Sequence, residues 1–296
     1  MAFARGIEKV HRYLTHAFPA VPGASEIGQF RLSREQVESY CGRGFLAGVE
    51  ILDSGQILEL SRRLEKIRLR LDEYAGRLYE IEAGYLERPN AVVFHFLGAW
   101  LVDEWFHDLI FSPQITVPVA QLLGTNRVRF WHDQVFYKPP HHPGVVPWHQ
   151  DYSYWTRAIP PNHVTINIVL DDASLENGCI HYVPGSHKWG LLPKVPFDGD
   201  MDSVRRALPD HLRGEFQPVP AIGKAGQASF HHSHTMHGSF GNASDRPRRA
   251  VVVNYMGAET RCADGTQPLL KGVPIIPEGA IIEGDYFPIV LDLDGA

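Results

Sequence analysis

From Arg127 onward the apolar pattern of this chain has a period of two. Val128, Phe130, His132, Gln134, Phe136 and Lys138 alternate with Arg127, Arg129, Trp131, Asp133, Val135 and Tyr137. Alternate residues of an extended strand face opposite sides of a sheet, so this run reads as a strand. In His163–Leu170 the pattern returns, with Val164, Ile166, Ile168 and Leu170 set against Thr165, Asn167 and Val169. Shorter strands fit Ile180–Val183, Gln227–His231 and Arg249–Met256. Turn formers separate them: Asn177-Gly178, Pro184-Gly185-Ser186 and Gly241-Asn242-Ala243-Ser244-Asp245. The chain holds 27 glycines and 22 prolines, which favours a turn-rich β architecture over a helical bundle. Many short strands with such punctuation point to a jelly-roll or barrel.

Before Arg127 the period is helical. Ile57, Leu60, Leu64, Ile67 and Leu71 lie 3, 4, 3 and 4 residues apart, on one face of a helix. Asp53 or Ser54 can cap it. Arg62, Arg63, Lys66, Arg68 and Arg70 are interleaved with Glu59, Glu65, Asp72 and Glu73, the pattern of a solvated face rather than a nucleic-acid patch. A shorter helix fits Ser33–Tyr40, with Ser33 as N-cap and Glu35 and Gln36 behind it. Residues 91–110 mix apolar and aromatic side chains and are expected to form another helix on the core. The expected organisation is a single domain over 1–296, with a helical part over about 1–126 and a β core over about 127–296.

Net charge is −6, so nucleic acid is not an expected partner. Cys41, Cys179 and Cys262 form no CxxC pair, which argues against a disulfide framework and a thiolate zinc site. No apolar run reaches the roughly 18–20 residues of a membrane span. The first residues lack the pattern of a signal peptide, and the last match no lipidation address, so the expected compartment is the cytoplasm.

Of 16 histidines, seven lie in residues 132–187 and four in 231–237. Histidine is the commonest metal ligand. In Trp148-His149-Gln150-Asp151 an extended backbone would turn His149 and Asp151 to the same side. A third ligand is available from His231, His232, His234 or His237. Two histidines and a carboxylate on one face of an octahedron make the facial triad of non-haem Fe(II) oxygenases.

Three blocks give the chain a resemblance to the phytanoyl-CoA dioxygenase family of Fe(II)/2-oxoglutarate-dependent oxygenases. They are Pro147-Trp148-His149-Gln150-Asp151; Leu170–Cys179, continuing to Pro184-Gly185-Ser186-His187; and His237-Gly238-Ser239 with Asn242, Ser244 and Arg248. The resemblance implies a mainly β fold with N-terminal helices around a double-stranded β-helix (jelly-roll, cupin-like) core. It assigns Fe(II) to His149, Asp151 and His237, and the far carboxylate of the co-substrate 2-oxoglutarate to Arg248. A guanidinium suits that role because it can make two parallel hydrogen bonds to a carboxylate. Arg246 and Arg249 compete for it, but Arg246 lies in the turn and Arg249 on the opposite side of the strand. Gln134, Thr165, Asn167 and Ser239 are placed near 2-oxoglutarate by the same comparison.

The implied reaction is oxidation of a C–H bond with O2, hydroxylation by default, coupled to conversion of 2-oxoglutarate to succinate and CO2. Halogenating relatives carry a small residue where this chain has Asp151, so halogenation is disfavoured. Trp148, Tyr152, Tyr154 and Trp155 flank the metal motif and suggest an aromatic-walled pocket, with Lys138 and Arg157 as candidate partners for an anionic group. The expected substrate is a small organic molecule of a biosynthetic or tailoring pathway; an acyl-CoA is the alternative within the family. Outside it, a non-oxidative cupin-type metal enzyme would need the histidines but not Arg248, and a binding module would need neither. His187 is expected to be structural. His141 and His142 are assigned loop roles, and His231, His232 and His234 positions near the metal or at the surface.

Overall fold

The computed structural model describes residues 6–20, 23, 26–194 and 200–294. Its strands, in chain order, are β1 (Phe45–Glu50), β2 (Glu80–Ile81), β3 (Phe94–Leu97), β4 (Arg127–Lys138), β5 (Val146–His149), β6 (Ala158–Ile159), β7 (His163–Val169), β8 (Ile180–Tyr182), β9 (Val219–Pro220), β10 (Gln227–His232), β11 (His237–Ser239), β12 (Arg248–Gly257), β13 (Arg261–Cys262) and β14 (Ile289–Asp292). The larger sheet runs β1-β10-β7-β12-β4-β3-β2, with β14 also on β4; the smaller runs β5-β11-β8-β9. β6 and β13 form a separate two-stranded ribbon. The pairings are antiparallel. This is the expected mainly β architecture of the jelly-roll class.

The central strand β7 is buried along its whole length. Its odd and even positions therefore face two different interiors. Val164, Ile166 and Ile168 join Val251, Val253 and Tyr255 of β12, Phe230 of β10 and Phe130 and Val135 of β4 in the main apolar core. Helical residues Leu60, Leu64, Ile67, Trp100 and Ile115 pack in the same cluster. The other face of these strands carries polar residues towards the smaller sheet.

The two expected helices are present. One spans Arg34–Arg43, with Ser33 and Gln36 in a capping box. The other spans Ser54–Leu69 and is capped by Asp53 with Gln56. It ends two residues before the apolar spacing does, because Leu71 opens a separate turn, Leu71–Tyr74. Its basic face is ion-paired, Arg62 and Arg63 to Glu59 at 2.6 Å each and Arg68 to Glu65 at 2.5 Å.

The expected helix over residues 91–110 is not formed. Phe94–Leu97 is strand β3, paired to β4, and Ala99–Leu101 and Glu104–Leu109 are short helical turns. Gly98 breaks the segment at φ 102°, where a Cβ would come 3.1 Å from the Tyr79 nitrogen. Buried Asp133 holds the new start by accepting from Gly98 N at 2.9 Å and Trp100 N at 2.8 Å. Strands β1, β2 and β3 thus extend the larger sheet from within the part read as helical, while the helix Pro113–Leu123 was not anticipated.

Candidate active site

His149, Asp151 and His237 each offer one ligand atom within 4.8 Å of the others. Asp151 Oδ1 lies 3.4 Å from His149 Nε2 and 3.6 Å from His237 Nε2. The two histidines meet because β5 and β11 pair directly, His149 opposite His237. Asp151 does not share the strand of His149. β5 ends at His149, and Asp151 opens a helical turn, Asp151–Tyr154. Gln150 is drawn the other way, its amide donating to Gly190 O at 2.9 Å and His234 O at 2.8 Å.

The donor set suits a divalent metal. His149 Nδ1–H donates to Pro147 O at 2.8 Å and His237 Nδ1–H to Thr235 O at 2.9 Å. A carbonyl can only accept, so both rings carry the proton on Nδ1 and turn an Nε2 lone pair towards Asp151. Burial, with His149 and His231 adding to it, holds His237 well below the ordinary imidazole range, hence neutral. For Asp151 burial acts upward; the surrounding imidazoles act the other way and keep the carboxyl well below the usual carboxylate range, and with His149 and His237 neutral it is the N–H of His231 that supplies this pull.

Behind Asp151 stands His231. Its Nε2–H donates to Asp151 Oδ2 at 3.0 Å, and its Nδ1 faces the Tyr182 hydroxyl at 3.1 Å, which meets Ser229 Oγ at 2.7 Å. Thr165 Oγ1 shares its proton between the same Oδ2, at 2.6 Å, and Asn254 Oδ1, at 2.9 Å. Oδ2 is thereby occupied and Oδ1 is left for the metal side. The strand signal over Gln227–His231 puts Ser229 and His231 on one side against Ala228 and Phe230, so this role was legible in the alternation. His234, a candidate ligand by sequence, stands outside the group of His149, Asp151 and His237. It lies in the turn between β10 and β11, with its ring 5.0 Å from Tyr152.

A narrow pocket between the sheets leads from the triad to Arg248, lined also by Gln134, Thr165, Asn167 and Ser239. All five expected co-substrate residues thus surround one space. Arg248 is 2% exposed, and its Nε has no partner among the described residues. Asn167 Oδ1 is likewise unpartnered. Arg249 points to the other face and pairs with Asp171 at 2.6 Å, while Arg246 is exposed. Asn242 anchors the loop before Arg248, donating to Pro139 O at 2.8 Å and Arg246 O at 2.7 Å and accepting from Ser244 N at 2.9 Å.

The expected aromatic wall is only partly there. A wider cavity of ≈ 500 Å³ adjoins the triad, lined by Glu80, Glu82, His95, Leu97, Trp131, His132, Gln134, Phe136, Tyr154, Trp155, Lys194, Leu269 and Leu270 beside His149 and Asp151. Trp155 and Tyr154 belong to it. Trp148 does not; as the neighbour of inward His149 it faces the other way, into a cluster with Val183, Phe216 and Met236, while a bulge in β5 opposite β11 brings Val146 inward beside His149. Tyr152 is core, its hydroxyl donating to Ala158 O at 3.0 Å. Lys138 is fully buried and donates to Ser239 Oγ at 2.7 Å, and it lines neither cavity. Arg157 holds the C-terminal loop through Gln267 O at 2.9 Å and Pro268 O at 2.7 Å. As expected, His187 is structural, bonded to Cys41 O at 3.1 Å, and His141 and His142 serve loops.

Residues 40–250 match the model of the family described as phytanoyl-CoA dioxygenase (PhyH). The chain belongs to the phytanoyl-CoA dioxygenase family. It is a dioxygenase of the class dependent on Fe(II) and 2-oxoglutarate. Among its relatives is the ectoine dioxygenase of Halomonas elongata, 27% identical over 267 residues, which are 85% of this chain and 77% of that one. The L-proline trans-4-hydroxylase of Streptomyces griseoviridis is 26% identical over 66% of this chain and 80% of its own length. Among solved structures, the non-heme alpha-ketoglutarate-dependent carbocyclase SnoK from nogalamycin biosynthesis superposes with a TM-score of 0.70 at 25% identity, covering 90% of this chain and 99% of that one.

Proposed function

We propose that His149, Asp151 and His237 hold the Fe(II) of this family member and that Arg248 receives the distal carboxylate of 2-oxoglutarate. The reaction is oxidation of a C–H bond in a small organic molecule, with release of succinate and CO2. Arg248 carries this reading. A guanidinium buried this deeply without a carboxylate among the described residues is costly unless an anion completes it. Neither a non-oxidative cupin-type metal enzyme nor a metal-free binding module calls for such a group.

Each residue has a separable task. His149 and His237 present neutral Nε2 atoms, and Asp151 adds the negative charge that favours a divalent ion. Bound iron supplies the activation of O2, driven by oxidation of the keto acid. Gln134, Thr165, Asn167 and Ser239 supply polar contacts along the narrow pocket, and Arg248 sets how deep the co-substrate sits. The wider cavity takes the substrate and keeps water from the reacting bond.

Ectoine and proline, named in the relatives above, are small molecules, and a cavity of ≈ 500 Å³ suits that scale. An acyl-CoA is the weaker alternative. The proposal includes one folding unit, supported by the shared core of the N-terminal helices and the larger sheet. It also includes the cytoplasm, which the three unpaired cysteines support. No helix among the described residues is long and apolar enough to cross a membrane.

Anaerobic calorimetry with Fe(II) and then 2-oxoglutarate tests the reading. One metal per chain, and 2-oxoglutarate binding that depends on it, is the expected result. Binding of 2-oxoglutarate unchanged in Arg248→Ala would overturn the assignment.

A further inference from the structure

We propose that Trp131 and His132 form a substrate anchor, their indole and imidazole N–H groups receiving one carbonyl-type oxygen on the molecule to be oxidised. The proposal deepens the dioxygenase reading and rests on it, since the cavity concerned reaches His149 and Asp151. Consecutive residues of a regular strand would face opposite sides. Here the pairing of β4 with β12 slips, Asn254 lying opposite His132 and Tyr255 opposite Phe130, which leaves Trp131 as the extra residue of a bulge. Such bulges re-aim side chains. Both rings accordingly pack on Trp155, at 6.4 and 5.4 Å between centroids, and both line the wider cavity.

The two groups offer N–H and nothing else. Asn254 Nδ2 donates to the His132 backbone carbonyl at 3.1 Å, which fixes the amide's orientation. The same Nδ2 lies 3.1 Å from His132 Nδ1, so that ring nitrogen accepts and the proton sits on Nε2. Nε2 meets no side-chain acceptor among the described residues, and the Asp133 backbone carbonyl is the acceptor within reach of the ring. Burial holds the pKa of His132 down to about 4, so the ring is a neutral donor. Trp131 is 2% exposed, and its Nε1–H is buried without an acceptor. Phe287 stacks on its indole at 5.4 Å and limits its movement. A buried N–H left unpaired is costly, and a substrate oxygen would complete it. The charged groups of this cavity away from the triad lie elsewhere: Glu80 and Lys194 are exposed and Glu82 is half-buried. The inner wall therefore selects an acceptor oxygen rather than an ion pair.

The test uses protein loaded with Zn(II) and saturated with 2-oxoglutarate, with tryptophan indoles labelled with 15N. Benzamide and benzoate are the oxygen-bearing probes, and benzylamine is the control. The Trp131 Nε1–H resonance, identified by its loss in Trp131→Phe, should move downfield and saturate with an oxygen-bearing probe and stay still with benzylamine. The better of the two probes tells a neutral carbonyl from a carboxylate. His132→Phe should weaken binding about tenfold, while His132→Gln, which keeps an N–H, should stay within about threefold. Should Trp131→Phe not fold, the two His132 variants decide alone. A silent Trp131 resonance, benzylamine binding as tight as benzamide, or unchanged binding in His132→Phe overturns the proposal. Failure to bind Zn(II) or 2-oxoglutarate strikes the dioxygenase site assignment instead, so the two failures are distinguishable.

Discussion

The narrow pocket and the wider cavity share His149, Asp151, Gln134 and Phe136, yet they are built in different ways. The narrow pocket takes residues from regular strands. Gln134, Thr165, Asn167, Arg248 and Val252 are inward positions of β4, β7 and β12, locked by ladders on both sides except for Arg248, which pairs with β4 alone. Much of the wider cavity comes from short or irregular segments: Glu80 and Glu82, Tyr154 and Trp155, Lys194, and Leu269 and Leu270 on a loop strapped by Arg157. A co-substrate common to a whole class of enzymes is best held by groups that cannot move. The substrate, which differs between members, is met by segments that tolerate change. In this cavity Trp131 and His132 are an exception, since they stand on a central strand and owe their place to a bulge.

Mutations along this division have graded expected effects. Asp151→Ala removes the only carboxylate of the triad and should abolish product formation. Its metal affinity should fall by more than the roughly 10–100-fold that loss of an outer partner costs, measured by metal content after dialysis. Full turnover with metal bound would remove Asp151 from the ligand set. Next comes Arg248→Ala, which should weaken 2-oxoglutarate by about 2–5 kcal/mol while leaving metal binding nearly intact, read by calorimetry. Arg249→Ala breaks the half-buried pair with Asp171 and should lower thermal stability with little change in 2-oxoglutarate affinity.

His231→Ala leaves Asp151 Oδ2 with Thr165 as its remaining protein donor. Metal affinity should drop about 10–100-fold, and His231→Gln, which keeps an N–H, should recover part of it. Equal losses in both variants would point to packing rather than orientation of the carboxylate. The smallest effect is expected at the loop wall. Leu269→Ala should change substrate KM by a few-fold, about 1–2 kcal/mol at most for a half-buried leucine, and leave substrate-independent succinate formation unaltered. A large loss of 2-oxoglutarate affinity there would erase the proposed separation of the two spaces.

Which of these parts could be read from the chain follows from how local their causes are. The alternation over Arg127–Lys138 and His163–Leu170 depends on neighbours two residues apart, so the strands and the inward set Gln134, Thr165 and Asn167 were legible. The parity of Arg248 against Arg249 was legible for the same reason. Asn254, six residues after Arg248, has the inward parity too and was overlooked. Trp148 was misplaced although alternation alone turns the neighbour of an inward His149 to the other face; only the inward position of Val146 needed the bulge, which is set by the partner strand. Tyr152 and Lys138 were misplaced because their polar atoms found partners more than five residues away, at Ala158 and Ser239.

By itself, then, the sequence determined the period of strands β4, β7, β8, β10 and β12, the two capped helices, the order of the motif blocks and the residue types from which the proposed ligands are drawn. All of these rest on short-range stereochemistry or on residue type. Only the tertiary structure decided that residues 91–110 form a strand and two turns, since Gly98 and the distant Asp133 carboxylate set that break. It alone decided that Asp151 enters the site from a helical turn, with His231 and Thr165 steering its second oxygen. It also decided that Glu80, Lys194 and Leu269 share a wall. Contacts between segments so far apart in the chain are chosen by burial and hydrogen-bond satisfaction across the whole core, and no local pattern encodes them.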